Sequence, residues 1–333
     1  MSTALSTFLR AVMLGPEQRH GNLAIRALLA DQEVAAVYLT LDEALAQGGF
    51  TITEIGAAGQ VPALQVINNL EQRVLLLDGE ELVGAKQNRV LNLTILLAPK
   101  SVTTIPVSCI ERGRWSYNSR NFRSPQRAMS AALRKKKARS VSFCIRNFGS
   151  YQSDQGEIWE EIEAKFARAG IQPSPTQALS DLCEVRQDRS NDYLQHFSPC
   201  DRQLGLAAFI DGALAGVELL GRYDTLQRLY DKLVGSYILD ALETAQRGVA
   251  AATASDLLAD FLEEAAAAIP ERRPSVALGW DFRLESSTVL GAGLEFEDQI
   301  LQLSLFQREA ESGNGEAQRS LRRASLRRQG MRR

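Results

Sequence analysis

Between residues 74 and 115 the chain alternates apolar runs with polar clusters too dense for ordinary loops: VLLLDGEELVGAKQNRVLNLTILLAPKSVTTIPVSCIERGRW. Val74–Leu77 has the composition of a short buried strand and ends at the turn pair Asp78-Gly79. Period-2 spacing predicts a second strand over about Lys86–Leu97, with Leu91, Leu93, Ile95 and Leu97 on one face and Arg89 and Gln87 extending that row. A third strand is predicted over about Val102–Glu111, where Ile105 and Val107 share a face with Cys109 and Glu111. Two core-facing rows thus end in polar residues, the pattern of an apolar floor with convergent polar groups at its rim.

The same reading extends along the chain. Residues 1–20 are expected to be irregular or a short helix, broken at Gly15-Pro16. Strands are predicted at Leu23–Leu29, Val34–Leu39, Thr51–Ile55 and Ala63–Ile67, and Thr40 with Glu43 forms a capping box opening a short helix. The connections are too short for helical crossovers, so residues 1–115 read as a mostly antiparallel β region. A helix is expected near Arg127–Arg139, a strand at Val141–Ile145, and helices at Gly156–Ala169 and Thr176–Phe197. Leu204–Leu220 reads as a hairpin about Asp211-Gly212, followed by a helix to about Thr244 capped by Asp224 and Gln227. A helix at Ser255–Ile269 and strands at Ser275–Leu284, Thr288–Phe296 and Ile300–Phe306 complete the pattern. The expected architecture is α+β, with an antiparallel, β-sandwich-like half over residues 1–150 and a hairpin–helices–strands half over 151–307. Residues 308–333 read as a disordered basic tail.

A hydrophobic content of 45% and a charged content of 23% are those of a globular protein, and no run reaches the length of a membrane span. The N-terminus lacks the charged start and apolar core of a signal peptide. Cys109, Cys144, Cys183 and Cys200 are dispersed without a CxxC spacing, and His20 and His196 are the only histidines. That inventory suggests neither a zinc site nor a disulfide framework, and the expected setting is a reducing cytoplasm. The net charge of −2 conceals an asymmetry: residues 112–153 hold eleven cations and no acid, and residues 308–333 carry a net +5, so the remainder carries −18.

The candidate binding set is Lys86, Gln87, Asn88, Arg89, Asn92, Arg114 and Trp115, with Glu80, Glu81 and Glu111 beside it. Cations would hold phosphate while amides and carboxylates meet hydroxyls or a base edge. Glu80 and Glu111 are the acid/base candidates, because burial raises a carboxyl pKa toward neutrality. A structural alternative pairs Arg89 with Glu111 across strands and uses Asn88 and Asn92 to satisfy bulges. Cys109 lacks a neighbouring histidine and falls in the core-facing register, so it reads as a small buried residue. The histidines read as surface or capping residues.

The belt from Arg112 to Arg146, with Trp115, Tyr117 and Phe122, fits either a nucleic-acid surface or internal pairing with the acidic body. Its 134–139 run reads as a solvated helix face. Lys232, Ser236 and Asp240 share one helix face and, with Glu218, form a further polar group. No motif names a cofactor.

DGEELVGAKQNRVLN and PVSCIERGRW resemble the domain family named for its association with ADP-ribosylglycohydrolases and rhodanese-phosphatases. Weaker similarity covers roughly residues 20–306, through TLDEAL, TITEIG, VPALQVINN, AGVELLG and DKLVGSYILDAL. The resemblance implies chemistry of the ADP-ribose or phosphate-ester kind and assigns no residue a role. The expectation is a cytoplasmic protein that binds a phosphorylated small molecule, an ADP-ribose-like phosphosugar, and hydrolyses or transfers it. The competing expectation is a non-catalytic adaptor that binds RNA or an acidic partner through the belt and tail.

Overall fold

The computed structural model describes residues 4–56, 58–172, 174–245 and 255–308. The expected tail beyond Arg308 lies outside the described residues. The chain begins with α1 (Ala4–Arg10), β1 (Met13–His20), β2 (Leu23–Leu29), β3 (Leu39–Thr40), α2 (Leu41–Gln47), β4 (Phe50–Glu54) and β5 (Ala63–Asn68). Short strands follow: β6 (Val74–Leu76), β7 (Glu81–Gly84), β8 (Arg89–Leu91), β9 (Ile95–Leu97), β10 (Ser101–Cys109) and β11 (Phe122–Arg123). Next come helices α3 (Ala131–Phe148), α4 (Gln155–Ala169), α5 (Leu179–Val185) and α6 (Gln187–Leu194), then the hairpin β12 (Gln203–Ile210) and β13 (Ala213–Leu220). Helices α7 (Tyr223–Thr244) and α8 (Ser255–Ala267) precede β14 (Glu271–Pro274), β15 (Trp280–Glu285), β16 (Val289–Phe296) and β17 (Gln299–Gln307).

The fold is α+β. An eight-stranded antiparallel sheet runs β1-β2-β12-β13-β17-β16-β15-β14. Its inner strands β2, β12, β13 and β16 carry near-continuous apolar runs because both faces are covered, whereas the edge strands β1 and β14 are mostly polar and largely exposed. Leu23, Ile25, Leu206 and Ala208 pack under α7, whereas Ala24, Leu28, Ala207 and Phe209 pack against α1 and α8. The sheet draws β1 and β2 from the first thirty residues into register with β12, so one sheet spans both halves of the chain.

A second core lies between a six-stranded sheet, β11-β7-β8-β10-β5-β4, and a three-stranded sheet, β3-β6-β9. Here the outer strands show alternation: β4 buries Phe50, Ile52 and Glu54, and β5 buries Leu64, Val66 and Asn68. All ladders are antiparallel except the two-residue pairing of β3 with β6. Thr40 and Glu43 form the expected capping box of α2.

Several expected elements differ. The single strand over Lys86–Leu97 is two strands in two sheets: Leu91 pairs with Val107, and after a corner at Asn92–Thr94, Ile95 pairs with Leu76. Its period-2 pattern survives the corner because both sheets face the same core. Val141–Ile145, expected as a strand, lies within α3, where Val141 and Ile145 occupy its buried side. Long-range packing overrides the β propensity of branched residues here. The strand expected at Val34–Leu39 reduces to Leu39–Thr40, and Thr176–Phe197 divides into two helices at Arg186. Residues 13–20 are a strand that passes Gly15-Pro16 through a register shift. Helix α7 has no side-chain cap; Asp224 instead accepts from Arg222 at 2.9 Å.

Candidate functional site

β7 and β8 are joined by a tight corner at Ala85–Asn88, with Ala85 at a φ of 43°. Asn88 Oδ1 closes it by accepting the Gly84 N–H at 3.2 Å. The register then sets Arg89 opposite Cys109 on β10, which brings the GAKQNR and CIERGR segments together.

Glu111 organises the polar groups at this junction. Its Oε1 accepts Arg114 Nε at 2.8 Å, and its Oε2 accepts Arg114 Nη2 at 2.7 Å and the Asn88 N–H at 2.9 Å. Arg114 Nη1 reaches back to the Ala85 carbonyl at 2.7 Å. This bidentate pair fixes the start of the irregular 112–121 segment onto the corner. Gln87 donates to the Glu111 carbonyl and accepts Arg89 Nη1 at 2.8 Å.

Arg89 is the unusual member. It is fully buried, yet among the described residues it has no carboxylate partner, and its Nε and Nη2 make no hydrogen bond. Burial lowers its pKa; the fields of Cys109, Glu54 and Glu111 oppose that shift. Arg89 and Lys86 lie under Trp115, at 5.4 and 5.5 Å from its ring centre, and Lys86 also lies 5.0 Å from the Tyr117 ring. Trp115 is 45% exposed and Tyr117 52%, so these rings form a wet roof over two cations.

The structure therefore brings together Lys86, Gln87, Asn88, Arg89, Glu111, Arg114 and Trp115. It separates Asn92, whose amide donates to the Tyr151 carbonyl at 3.0 Å and accepts Ser108 Oγ at 2.6 Å. Glu80 is separate too: Oε2 accepts the Leu77 N–H at 2.7 Å and Oε1 accepts Lys232 at 2.5 Å. Burial raises the Glu80 pKa against the pull of Lys232. Glu80 and Glu111 share no bonded partner. Glu54 is a further member of the site. It lies in the buried register of β4, accepts the Lys86 N–H at 3.3 Å, and leaves Oε2 without a partner. The alternation of TITE, which places an acid in line with Phe50 and Ile52, was its signal.

The DGEE turn is a socket for cations. Asp78 pairs with Lys137, Glu80 with Lys232, and Glu81 with Arg127 at 2.7 Å. Lys232 also holds Asp42 at 2.9 Å. Arg134 crosses Gly79 to reach Glu218 at 2.5 Å and Ser236 at 2.9 Å, and Tyr237 and Ser304 hydroxyls donate to the same Glu218 carboxylate. The Lys232–Ser236–Asp240 face of α7 thus points inward: Asp240 accepts the Ala132 N–H at 2.8 Å and Lys165 at 2.5 Å. These contacts join the central motif, α3 and α7.

A family model described as ARPP-1, the ARG and Rhodanese-Phosphatase-superfamily-associated Protein domain, matches residues 11–306. The chain belongs to this family. No curated protein and no solved structure is matched by the chain. The ARPP-1 match covers all three sheets except the final residue of β17 and includes every residue of the Arg89–Glu111 junction, and the family's description associates it with ADP-ribosylglycohydrolases and the rhodanese-phosphatase superfamily. In this ARPP-1 domain no described helix is long and apolar enough to cross a membrane. Cys109 is buried with its thiol 3.0 Å from the Glu111 carbonyl, and burial raises its pKa although Arg89 lowers it. His20 and His196 stack on each other at 3.7 Å beside Tyr193.

Proposed function

We propose that the protein binds a nucleotide-derived phosphosugar of the ADP-ribose kind at the Arg89–Glu111 junction, in the cytoplasm. The observation that carries this reading is the Arg89 guanidinium, buried without a carboxylate and with two nitrogens unsatisfied. An uncompensated buried charge costs several kcal/mol, and an anionic ligand offsets that cost. Phosphate oxygens fit the free Nε and Nη2 edge as a fork. Lys86 adds a second cation, and Trp115 and Tyr117 offer exposed faces on which a base stacks. The Glu54 oxygen without a partner suits a ribose hydroxyl.

The roof formed by Trp115 and Tyr117 must lift for the ligand to reach Arg89, while the Arg114–Glu111 pair holds the base of the segment. Glu80 and Glu111 enter this reading as positioning residues, because all four of their oxygens already accept protein donors. The family's association with ADP-ribose enzymes supports the same ligand class.

Titration calorimetry with ADP-ribose tests the proposal. Wild-type protein is expected to bind, Arg89→Ala to lose binding, and Asn92→Ala to retain it. Absence of binding by the wild type overturns the proposal.

A further inference from the structure

The basic belt divides sharply by partner. Along α3 and its approach the cations are neutralised within the protein: Arg127 by Glu81, Arg134 by Glu218, Lys136 by Glu161, and Lys137 by Asp78. Arg139 pairs with Glu157, and Arg146 with Glu271 and Glu285. Arg134 and Lys137 are buried outright, which corrects the expectation of a solvated helix face at 134–139. The other end of the belt is different. Arg112, Arg120 and Arg123 are exposed and form no ion pair among the described residues. Arg112 instead lies 5.5 Å from the Trp159 ring, and Arg120 and Arg123 face solvent.

These arginines flank the exposed Trp115 and Tyr117 on a segment laid along residues 83–86. The Asn118 N–H donates to the Ala85 carbonyl at 3.1 Å, the Ser119 hydroxyl accepts the Ala85 N–H at 2.8 Å, and Phe122 and Arg123 pair with Gly84 and Val83. Outside residues 112–153 and the basic stretch 308–333 the chain carries −18, so a polyanion is repelled from that surface and attracted to this segment.

We propose that the 112–123 segment is a single-stranded nucleic-acid surface, in which Arg112, Arg120 and Arg123 contact phosphates and Tyr117 and Trp115 stack on bases. Unpaired arginines supply the sequence-independent electrostatic attraction, and exposed rings require bases that are not already paired in a duplex. This surface shares Trp115 and Tyr117 with the proposed small-molecule site but does not use Arg89, which lies beneath it.

Fluorescence anisotropy with a labelled single-stranded RNA of about 12 nucleotides tests it over roughly 50–200 mM salt. Three phosphate contacts predict a slope of log K against log salt near −2, at about 0.7 per contact. The double variant Arg120→Gln/Arg123→Gln is expected to make that slope shallower by about 1.4. Tyr117→Ala is expected to weaken binding about fivefold or more. Lys136→Gln/Arg139→Gln removes paired cations and is expected to leave both quantities unchanged. Arg89→Ala is expected to keep RNA binding while losing ADP-ribose, which separates this inference from the proposed small-molecule site. No binding at low salt, an unchanged slope in the Arg120/Arg123 variant, or equal binding of duplex RNA overturns it.

Discussion

Arg89 and Glu111 meet at one junction and do not form an ion pair. The Glu111 carboxylate is occupied by Arg114 at 2.7 and 2.8 Å, while Arg89 Nη1 donates to the neutral Gln87 Oε1 at 2.8 Å. The cross-strand pairing of Arg89 with Glu111 that the sequence allows is therefore not the arrangement adopted. Arg114, three residues beyond Glu111, takes the carboxylate because the chain turns back on itself there. Arg89 is left as a buried charge whose only hydrogen-bond acceptors among the described residues are neutral, the Gln87 amide and the Asn88 carbonyl.

That arrangement predicts opposite effects on stability and binding. Arg89→Met keeps the length of the side chain and removes the buried charge, so the unliganded protein is expected to gain about 1 kcal/mol or more. Ligand binding is expected to disappear in the same variant. Urea denaturation and calorimetry on one preparation read both quantities. A marked loss of stability would show that the guanidinium serves the fold and would remove the reason for proposing a ligand.

Gly79 supplies a second test, at the centre of the DGEE socket. Its φ is +86°, and a Cβ there would fall 2.3 Å from Arg134 Cδ. Arg134 cannot retreat, because it is buried and held by Glu218 and Ser236. Gly79→Ala is expected to lower stability by about 1–3 kcal/mol through the strained backbone, with a further loss if the Arg134 bonds break. Gly149, also at positive φ but with nothing near its added Cβ, is the control, and Gly149→Ala should cost less. Equal melting temperatures for the two variants would contradict the packing of Arg134 on this turn.

How much of this was legible in the sequence depends on how far the deciding partner lay along the chain. The α2 capping box and the β12–β13 hairpin rest on neighbouring residues, and both form where expected. The convergence of GAKQNR with CIERGR was likewise visible, since β8 and β10 keep their side-chain rows in phase. The fate of the basic belt was not. Arg134 and Lys137 find carboxylates 84 and 59 residues away, and local spacing cannot report which face of α3 those acids approach. The corner at Asn92–Thr94 was hidden for another reason: both sheets present apolar residues to the same core, so the alternation runs through the corner without a break. Glu54 carried a usable signal, an acid in a core-facing register, that its distance from the central motif obscured.

Buried thiol and phenol groups lead to the last prediction. Burial pushes Cys183 from 9.0 up to about 12, with Glu81 adding to the shift and Arg127 opposing it. Burial likewise takes Tyr38 from 10.0 to about 12. In the unfolded chain these groups release their protons at the ordinary, lower pH, so above that point the native state holds more protons than the unfolded one. Stability must then fall as pH rises, by up to about 1.4 kcal/mol per pH unit for each group in its window. Cys109, also raised by burial, adds the same sign. Lys165 and Lys232 have pKa values lifted by carboxylate partners that outweigh burial, so their contribution is present below 10.5 and is lost only above it. The interval from pH 9 to about 10 is where the thiols act, against the opposite-signed contribution of Lys137, whose pKa burial lowers from 10.5. Urea midpoints are expected to decline across it, and Cys183→Ala is expected to flatten the decline. A variant whose midpoint changes with pH just as the wild type's does would show that Cys183 ionises in the folded protein as readily as in the unfolded chain.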